Sequence, residues 1–539
     1  MEKSNLKILL VAPRDVSSNG IHYNYMFPLG IAYISAVLKK AKYDVSCLNL
    51  NHREGLASEI VRTELGKKKY DLVATGHVGM GYSITEKILE TARAHPSKPK
   101  TILGGAIITS EPQLMFESLK PDFGVLGEGE ETILELLKCI ENEKDFKKVN
   151  GIMYRDYTGK IITTPPRKPI ENIDKIPFPD FEGFEFEEYL DKGYTNMDSS
   201  NCNFHDHPRL YSILCSRSCP FHCTFCYHTL GSKYRERSIK NVIEEIKFAV
   251  EKYKINAIAI YDDLFSYKKE RIYEFCREMV NIRKNESREI TWTCQLSVLH
   301  VDRALLRVMK KAGCVVISYG FESYSEEVLK SMKKPITPEQ IDKAFKITIE
   351  EKIGVQGYFI FGDIVETKQT AKKTLDYWKE NCKGQIFLDF IQPYPGCELY
   401  EHCLKKGIIK DKLTFIRDEM KAKHILNMTD RMTDKDIREL QKAIIKFGST
   451  FTKSANPLFI KPSGDNKYEI VSKCPFCNEK TTYRNFLLQS RHIYRSYMIC
   501  RKCGMRYYIS SPLFNLLRRL NLADNLEKAY HWALRKKAI

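Results

Sequence analysis

Short apolar segments of strand character alternate with amphipathic helical segments in two separate runs along this chain, and that repeated rhythm restricts it to layered α/β architecture. In the first run, strand candidates fall at Lys7–Val11, Asp44–Leu48, Asp71–Thr75, Thr101–Leu103 and Phe123–Leu126, with helical patterns such as Ile31–Lys40 and Ile84–Arg93 between them. Residues 1–150 are therefore predicted to form a doubly wound, Rossmann-like parallel sheet. Glycines stand just past three of these strands, at Gly76, at Gly104 and Gly105, and at Gly127 and Gly129. In such sheets ligands lie outside the carboxyl ends of the strands, where glycine admits a close backbone approach. A tight turn explains any one of these glycines; the three groups together favour a ligand site.

Residues 151–208 are predicted to be a connector, broken by Pro165, Pro166, Pro169, Pro177 and Pro179. The rhythm then restarts, with strands predicted at Leu210–Cys215, Ala257–Tyr261, Ile290–Cys294, Val315–Tyr319, Gly357–Phe361 and Ile386–Ile391, and helices such as Ile239–Lys252, Lys269–Ile282 and Pro338–Glu351. Six βα units are too few to close an eight-fold barrel, so residues 209–400 predict a partial, TIM-like (βα)6 barrel with its chemistry at the strand C-termini. Residues 401–470 look helical, 471–510 form a cysteine-paired module, and 511–539 are a basic amphipathic helix candidate, Leu513–Lys537.

Seven of the 17 cysteines fall into two tight groups. No apolar run approaches the roughly 18–20 residues of a membrane span, and the apolar centre Ile8–Ala12 is too short for a signal peptide. The expected setting is cytoplasmic and reducing, where tight cysteine groups are metal or cluster ligands. The net charge of +18, from 86 basic and 68 acidic residues, suits an anionic partner: nucleic acid, a phosphorylated substrate, an anionic lipid surface or an acidic redox protein. Lysine-rich solvated helices give the same sum, and the basic residues are spread along the chain.

The sharpest motif is Cys219-Pro-Phe-His-Cys223-Thr-Phe-Cys226, straight after the first strand of the second run. Three thiolates on one short loop can hold three corners of a cubane iron–sulfur cluster and leave its fourth iron open for catalysis. A zinc site that recruits Cys202, Cys215, His222 or His228 is the competing reading of the spacing. The motif and its surroundings resemble the radical S-adenosylmethionine (SAM) superfamily, whose CxxxCxxC signature binds a [4Fe–4S] cluster. Tyr227 takes the usual aromatic position, and Tyr234-Arg-Glu-Arg-Ser-Ile239 and Val242–Ile246 are similar to the segment that follows. The resemblance implies that the open iron chelates SAM, and that one electron cleaves the sulfonium to give a 5′-deoxyadenosyl radical.

It also implies SAM contacts at the strand ends: Asp262 and Asp263 on the second, Gln295 on the third, and Glu322 and Ser323 in the "GxES"-like Gly320–Ser323 on the fourth. Gly362 closes a glycine-flanked fifth strand, although Asp363–Thr367 departs from the more usual Pro-Gly-Glu-Thr, and Pro393–Gly396 is similar to the family's sixth-strand end.

Residues 1–150 resemble the cobalamin-binding domain found ahead of many such enzymes, through Pro28-Leu29-Gly30, Gly76, Gly104-Gly105 and Gly127-Glu128-Gly129-Glu130. Many cobalamin proteins offer cobalt a histidine from an Asp-x-His-x-x-Gly loop. Asp15–Gly20 has Ser17 there, so no histidine ligand is expected from this loop. A degenerate domain that no longer binds cobalamin is the alternative.

Cys474, Cys477, Cys500 and Cys503 form two Cys-x2-Cys knuckles, the ligand set of a structural Zn²⁺ ribbon, with an auxiliary iron–sulfur cluster as the rival. Arg484, Arg491, His492 and Arg495 with Tyr483 and Tyr494 could touch nucleic acid or form a solvated face, and the second is expected.

Two reactions fit the resemblance: methylation of an unactivated carbon, or a radical ring closure or oxidation as in the cyclase relatives. The substrate class stays open among small molecules, lipids and peptides, with an electron donor such as flavodoxin or ferredoxin. Nucleic acid is not the expected partner, and peripheral membrane contact is left open. A tRNA methylthiotransferase needs a further cysteine trio, yet only Cys47 and Cys139 precede residue 200. A zinc-ribbon nucleic-acid binder with an inert barrel is the non-enzymatic alternative.

Overall fold

The computed structural model describes residues 6–14, 20–21, 23–78, 81–197, 199–420, 425–488 and 490–519. The chain forms two compact units, Met1–Tyr189 with Phe225–Arg235 and Gln392–His424, and Leu190–Thr224 with Glu236–Ile391 and Ile425–Ile539.

The first unit is built on a seven-stranded sheet: β1 (Lys7–Ala12), β2 (Asp44–Asn49), β3 (Leu72–Gly76), β4 (Lys100–Gly104), β5 (Phe123–Val125), β6 (Ile152–Arg155) and β7 (Ile161–Thr163). The spatial order is β2-β1-β3-β4-β5-β6-β7, parallel through β5 and antiparallel beyond. Leu9, Leu10 and Val11 of the central β1 are fully buried, as expected of a strand covered on both faces. Helices Ala57–Lys67 and Tyr82–Ala94 cover one face, where Val61, Leu65, Ile88 and Ala92 pack against Leu9, Val11 and Val73. Each such side chain contributes about 1.5–3 kcal/mol by leaving water. The expected connector differs from what is observed, because β6 and β7 extend the sheet to Thr163. Their hairpin turns on Asp156, whose carboxylate accepts the Thr158 and Lys160 N–H groups, and on Gly159 at φ +84°.

The second unit holds six parallel strands in sequence order: β8 (Leu210–Ile213), β9 (Ala257–Ile260), β10 (Thr291–Leu296), β11 (Cys314–Glu322), β12 (Gly354–Phe361) and β13 (Phe387–Phe390). This is the expected open barrel. Four of the helices between them begin at side-chain caps: Ser238, Asp302, and Thr337 with Gln340 and Thr367 with Thr370 in capping boxes.

After Asp434–Phe451, whose Phe447 and Phe451 pack on Trp378, the chain is not helical to 470 as expected. It enters strands β14 (Ser454–Ala455), β15 (Phe459–Gly464) and β16 (Lys467–Lys473), with Pro457, Pro462 and Gly464 breaking any helix. With β17 (Lys480–Leu487), β18 (Arg495–Ile499) and β19 (Arg506–Ser510) they make two three-stranded sheets, β15-β16-β17 and β14-β19-β18. A short helix, Pro512–Arg519, follows, and the rest of the predicted tail helix lies outside the described residues. No helix among the described residues is long and apolar enough to cross a membrane.

Candidate active site and metal centres

The cysteine loop leaves the barrel just after β8. Ser218 turns the chain at φ +68°, and the Thr224 N–H donates to Met332 O at 3.1 Å, holding the loop on the far side of β11 in sequence. None of the cysteines is in a disulfide, and Cys219, Cys223 and Cys226 are each partly exposed. Burial pushes the Cys219 and Cys223 thiols up, while the Lys334 ammonium draws both toward thiolate. Beside them Thr224 Oγ1 is buried with no hydrogen-bond partner. Single-ion geometry, with ligand atoms all within 4.8 Å, occurs among the described residues at Cys474/Cys477/Cys500/Cys503 and at His52/Glu185/Glu188, and not at this loop. Cys202 and Cys215 are fully buried and join neither group, so the competing zinc site is not assembled. The donor set fits a cubane, which spreads its ligands over separate irons.

The strand ends sort the remaining candidates. Asp262 is held inside the second unit, beneath the start of the cysteine-bearing loop. It is 2% exposed, accepts the Cys215 N–H at 2.7 Å and the Ser216 hydroxyl at 2.8 Å, and burial raises its pKa to about 7. Its neighbour Asp263 is exposed and, as a nearby negative charge, pushes the Cys219 thiol up. Gln295 is also exposed at the end of β10. Ser323 is likewise engaged inside the protein, against Thr374 and the Ser325 N–H.

Glu322 sits at a bulge in β11 at φ +60° and pairs with Lys334 at 2.8 Å. Gly320 is a glycine for this pair, since a Cβ there would lie 2.6 Å from Lys334 Nζ and closer still to the Glu322 carboxylate. Lys334 was not foreseen: Lys333-Lys334 reads as a surface run, and only folding buries it. Tyr227 lies in the first unit, where its ring covers Gly396 so closely that no Cβ fits.

Gly362 takes φ +101° and its N–H donates to Glu366 Oε2 at 2.6 Å, so its role is to shape the loop. Glu366, also unforeseen, is 1% exposed, with Oε1 lacking any partner. Burial, against the Gly362 hydrogen bond, lifts its pKa from 4.5 to about 8. The folded value lies above the unfolded one, so this group stabilises fully below pH 4.5 and loses that contribution as pH climbs to about 8. The shift is worth roughly 5 kcal/mol across that window. Glu366→Gln keeps an acceptor for Gly362 and should flatten this slope, as read by denaturant unfolding at about pH 5 and about pH 8.

In the first unit, the order β2-β1-β3 places a topological switch point between β1 and β3, where doubly wound sheets bind their ligands. The glycines there divide into two kinds. A Cβ on Gly76 would meet Gly104 O at 2.6 Å, and Gly105 needs φ +82°, so these two serve the packing of the β3 and β4 ends. Gly30, Gly104 and Gly127 have nothing within 4 Å of an added Cβ and border open space, a cradle fit for a bulky ligand. Gly76→Ala should cost about 1–3 kcal/mol of stability, because a backbone carbonyl stands in the way. Gly104→Ala should melt normally yet weaken cobalamin uptake, measured by absorbance titration. Glu128 corrects the expectation that it touches the cofactor: it is buried and ion-paired with Arg235. The Asp15–Asn19 segment with Ser17 lies outside the described residues.

In the C-terminal module, Cys474 and Cys503 sulfurs stand 3.8 Å apart and those of Cys477 and Cys500 3.7 Å apart. A tetrahedron with metal–sulfur bonds of about 2.3 Å has edges of about 3.8 Å. The donor set therefore fits one tetrahedral ion. Neighbouring thiols, Cys500 first, pull the Cys474 thiol down. Of the residues that could meet nucleic acid, Tyr483 is buried against Tyr507, Arg484 pairs with Asp206, and Arg495 stacks on Tyr508. Arg491 and His492 are exposed. Two of the four basic side chains, Arg484 and Arg495, are thus engaged within their own unit.

The family model of the radical SAM superfamily matches residues 213–377, and that of the B12 binding domain matches residues 22–137. The chain is 28% identical over 461 residues to an uncharacterized methyltransferase of Pyrococcus horikoshii, across 82% of this chain and 92% of the relative. It is 26% identical over 426 residues to the anaerobic magnesium-protoporphyrin IX monomethyl ester cyclase of Rubrivivax gelatinosus, across 77% and 74%. Its fold matches that of the radical S-adenosylmethionine methyltransferase TsrM from Kitasatospora setae, solved with tryptophan and a SAM analog, with TM-score 0.61 and 18% identity over 75% of this chain and 77% of that one.

Proposed function

This chain is a radical SAM enzyme that carries a B12-binding domain, and on that premise we propose that it transfers a methyl group to an unactivated carbon of its substrate. The observation that carries the reading is the coexistence, in one chain, of a three-cysteine loop just after the first strand of a six-stranded parallel sheet and a switch-point sheet edged by unobstructed glycines. Bound there, the cluster with SAM would supply a carbon-centred radical and cobalamin a transferable methyl group.

The residues divide the work as follows. Cys219, Cys223 and Cys226 hold the [4Fe–4S] cluster. Asp263, Gln295, Glu322 and Lys334 offer charge and hydrogen bonds to the polar groups of SAM, and Tyr227 shapes the loop beside them. Gly30, Gly104 and Gly127 leave room for cobalamin. Asp262, Ser323, Gly76, Gly105 and Gly362 brace these positions from behind. Cys474, Cys477, Cys500 and Cys503 hold a structural Zn²⁺ that keeps the ribbon folded. A reductant of flavodoxin or ferredoxin type delivers the electron, and a reducing, cytoplasmic setting suits 17 cysteines of which none is in a disulfide. The substrate is a small molecule, a lipid or a peptide segment small enough for the barrel mouth.

The similarity to the Rubrivivax cyclase supports a second reading, oxidative ring closure on the same site. Anaerobic reconstitution with SAM, cobalamin and a chemical reductant, followed by mass spectrometry, separates the two. 5′-Deoxyadenosine together with S-adenosylhomocysteine supports methylation, and deoxyadenosine alone supports the cyclase reading. Neither product, from a chain with its cluster intact, sinks both.

A further inference from the structure

We infer that Glu128 and Arg235 are a positioning pair that fixes the third cysteine of the loop, Cys226, against the β1–β7 sheet; all three residues belong to the first unit. The inference rests on the triplet being the cluster ligands.

Glu128 stands on the turn between β5 and helix Gly129–Glu141, a turn set by Gly127 at φ +71°. Arg235 ends the segment Phe225–Arg235 that carries Cys226. One guanidinium nitrogen, Nη1, donates to both carboxylate oxygens of Glu128, at 2.9 and 2.8 Å, and to Ile170 O at 2.8 Å. The Ile170 N–H in turn donates to Glu128 Oε2 at 2.7 Å, which closes a ring of four hydrogen bonds. Both side chains are 4% exposed.

An ion pair this deep adds little stability over apolar side chains of similar volume, because both charges have left water. What it adds is direction: a planar guanidinium that meets one carboxylate and one carbonyl tolerates a single placement. The nearby Lys233–Glu171 pair, at 2.6 Å, is exposed and contributes little. At the other end of the same segment, Tyr227 is seated on Gly396, which needs φ +90° and could carry no side chain there. Cys226 is the residue before that ring, so the short segment bearing the third ligand is held at Tyr227 and again at Arg235. The motif Gly127-Glu128-Gly129-Glu130, expected to meet the cofactor, thus sets where a cluster ligand stands.

The test uses the full chain, reconstituted without oxygen, and three readouts: iron per chain, melting temperature, and the electron paramagnetic resonance spectrum of the reduced cluster with and without SAM. The double variant Glu128→Met/Arg235→Met strands no buried charge and should keep its iron and its melting temperature. Its SAM-induced spectral change should be lost, and 5′-deoxyadenosine release should fall roughly tenfold, as for a reacting group displaced by a fraction of an ångström. Arg235→Lys, which retains the charge but not the planar guanidinium or its Nε bond to Lys233 O, should recover part of both. A wild-type spectrum and rate in the double variant overturns the positioning pair. If the double variant does not fold, Arg235→Lys decides, and a wild-type spectrum there overturns it too. A wild-type chain that shows no cluster spectrum overturns the reading of the triplet itself.

Discussion

Cys223→Ala is expected to abolish 5′-deoxyadenosine formation and to leave the protein folded. With the middle thiolate gone, two corners on one loop cannot retain a cubane that must also keep one iron open. The rate should fall by at least about 1,000-fold, the scale on which enzymes lose an essential catalytic element. Cys223 is partly exposed, so the melting temperature should move little. Iron analysis, the cluster's visible absorbance and mass spectrometry of the nucleoside product check this together. A variant that still yields deoxyadenosine at the wild-type rate removes the loop from the chemistry.

Cys477→Ala, or prolonged chelation under anaerobic conditions, should do the opposite: the first loss is stability and the cluster chemistry follows. Metal binding at four thiolates supplies roughly 10–16 kcal/mol in small zinc modules. This module has its own apolar core of Ile470, Tyr483, Phe486, Met498 and Ile509, so part of the structure should survive, with a loss of roughly 5 kcal/mol. The effect should extend into the barrel, because the ribbon is bonded to it within the second unit. The Ile499 N–H donates to Asn203 Oδ1 at 2.8 Å, and Gln385 and Arg506 exchange hydrogen bonds at 2.6 and 3.0 Å. The Arg506 guanidinium, fully out of water, also lies 3.7 Å from the Phe387 ring centroid on β13. Melting curves and elemental analysis are the measurements. One zinc per chain and a large drop in melting temperature are expected. A wild-type chain with no zinc, or a Cys477→Ala chain that melts like wild type, contradicts it.

The barrel was readable because parallel strands buried on both faces are continuous apolar runs: Ala257–Ile260 is apolar and buried at every position. The hairpin β6–β7 was not, because three- and four-residue strands beside Pro165 and Pro166 carry too little pattern to outweigh turn signals. At the candidate site, the cysteines were legible from spacing alone. Asp262 and Asp263 were legible only as a pair, because sequence does not say which of two adjacent carboxylates the loop after Ala257–Ile260 buries and which it exposes. Glu128, Lys334 and Glu366 are defined by what buries them. Their partners Arg235, Glu322 and Gly362 lie 107, 12 and 4 residues away, and no local period links them.

The first unit is discontinuous, and this bears on how the protein is made. Its sheet is translated early, yet the residues Gln392–His424 that complete the unit leave the ribosome after the whole barrel. At about 5–20 residues per second, the nascent first unit waits roughly 10–50 s for its last segment. During that wait its apolar surface is open to chaperones or to misassembly. No single cut of the gene would leave both units whole.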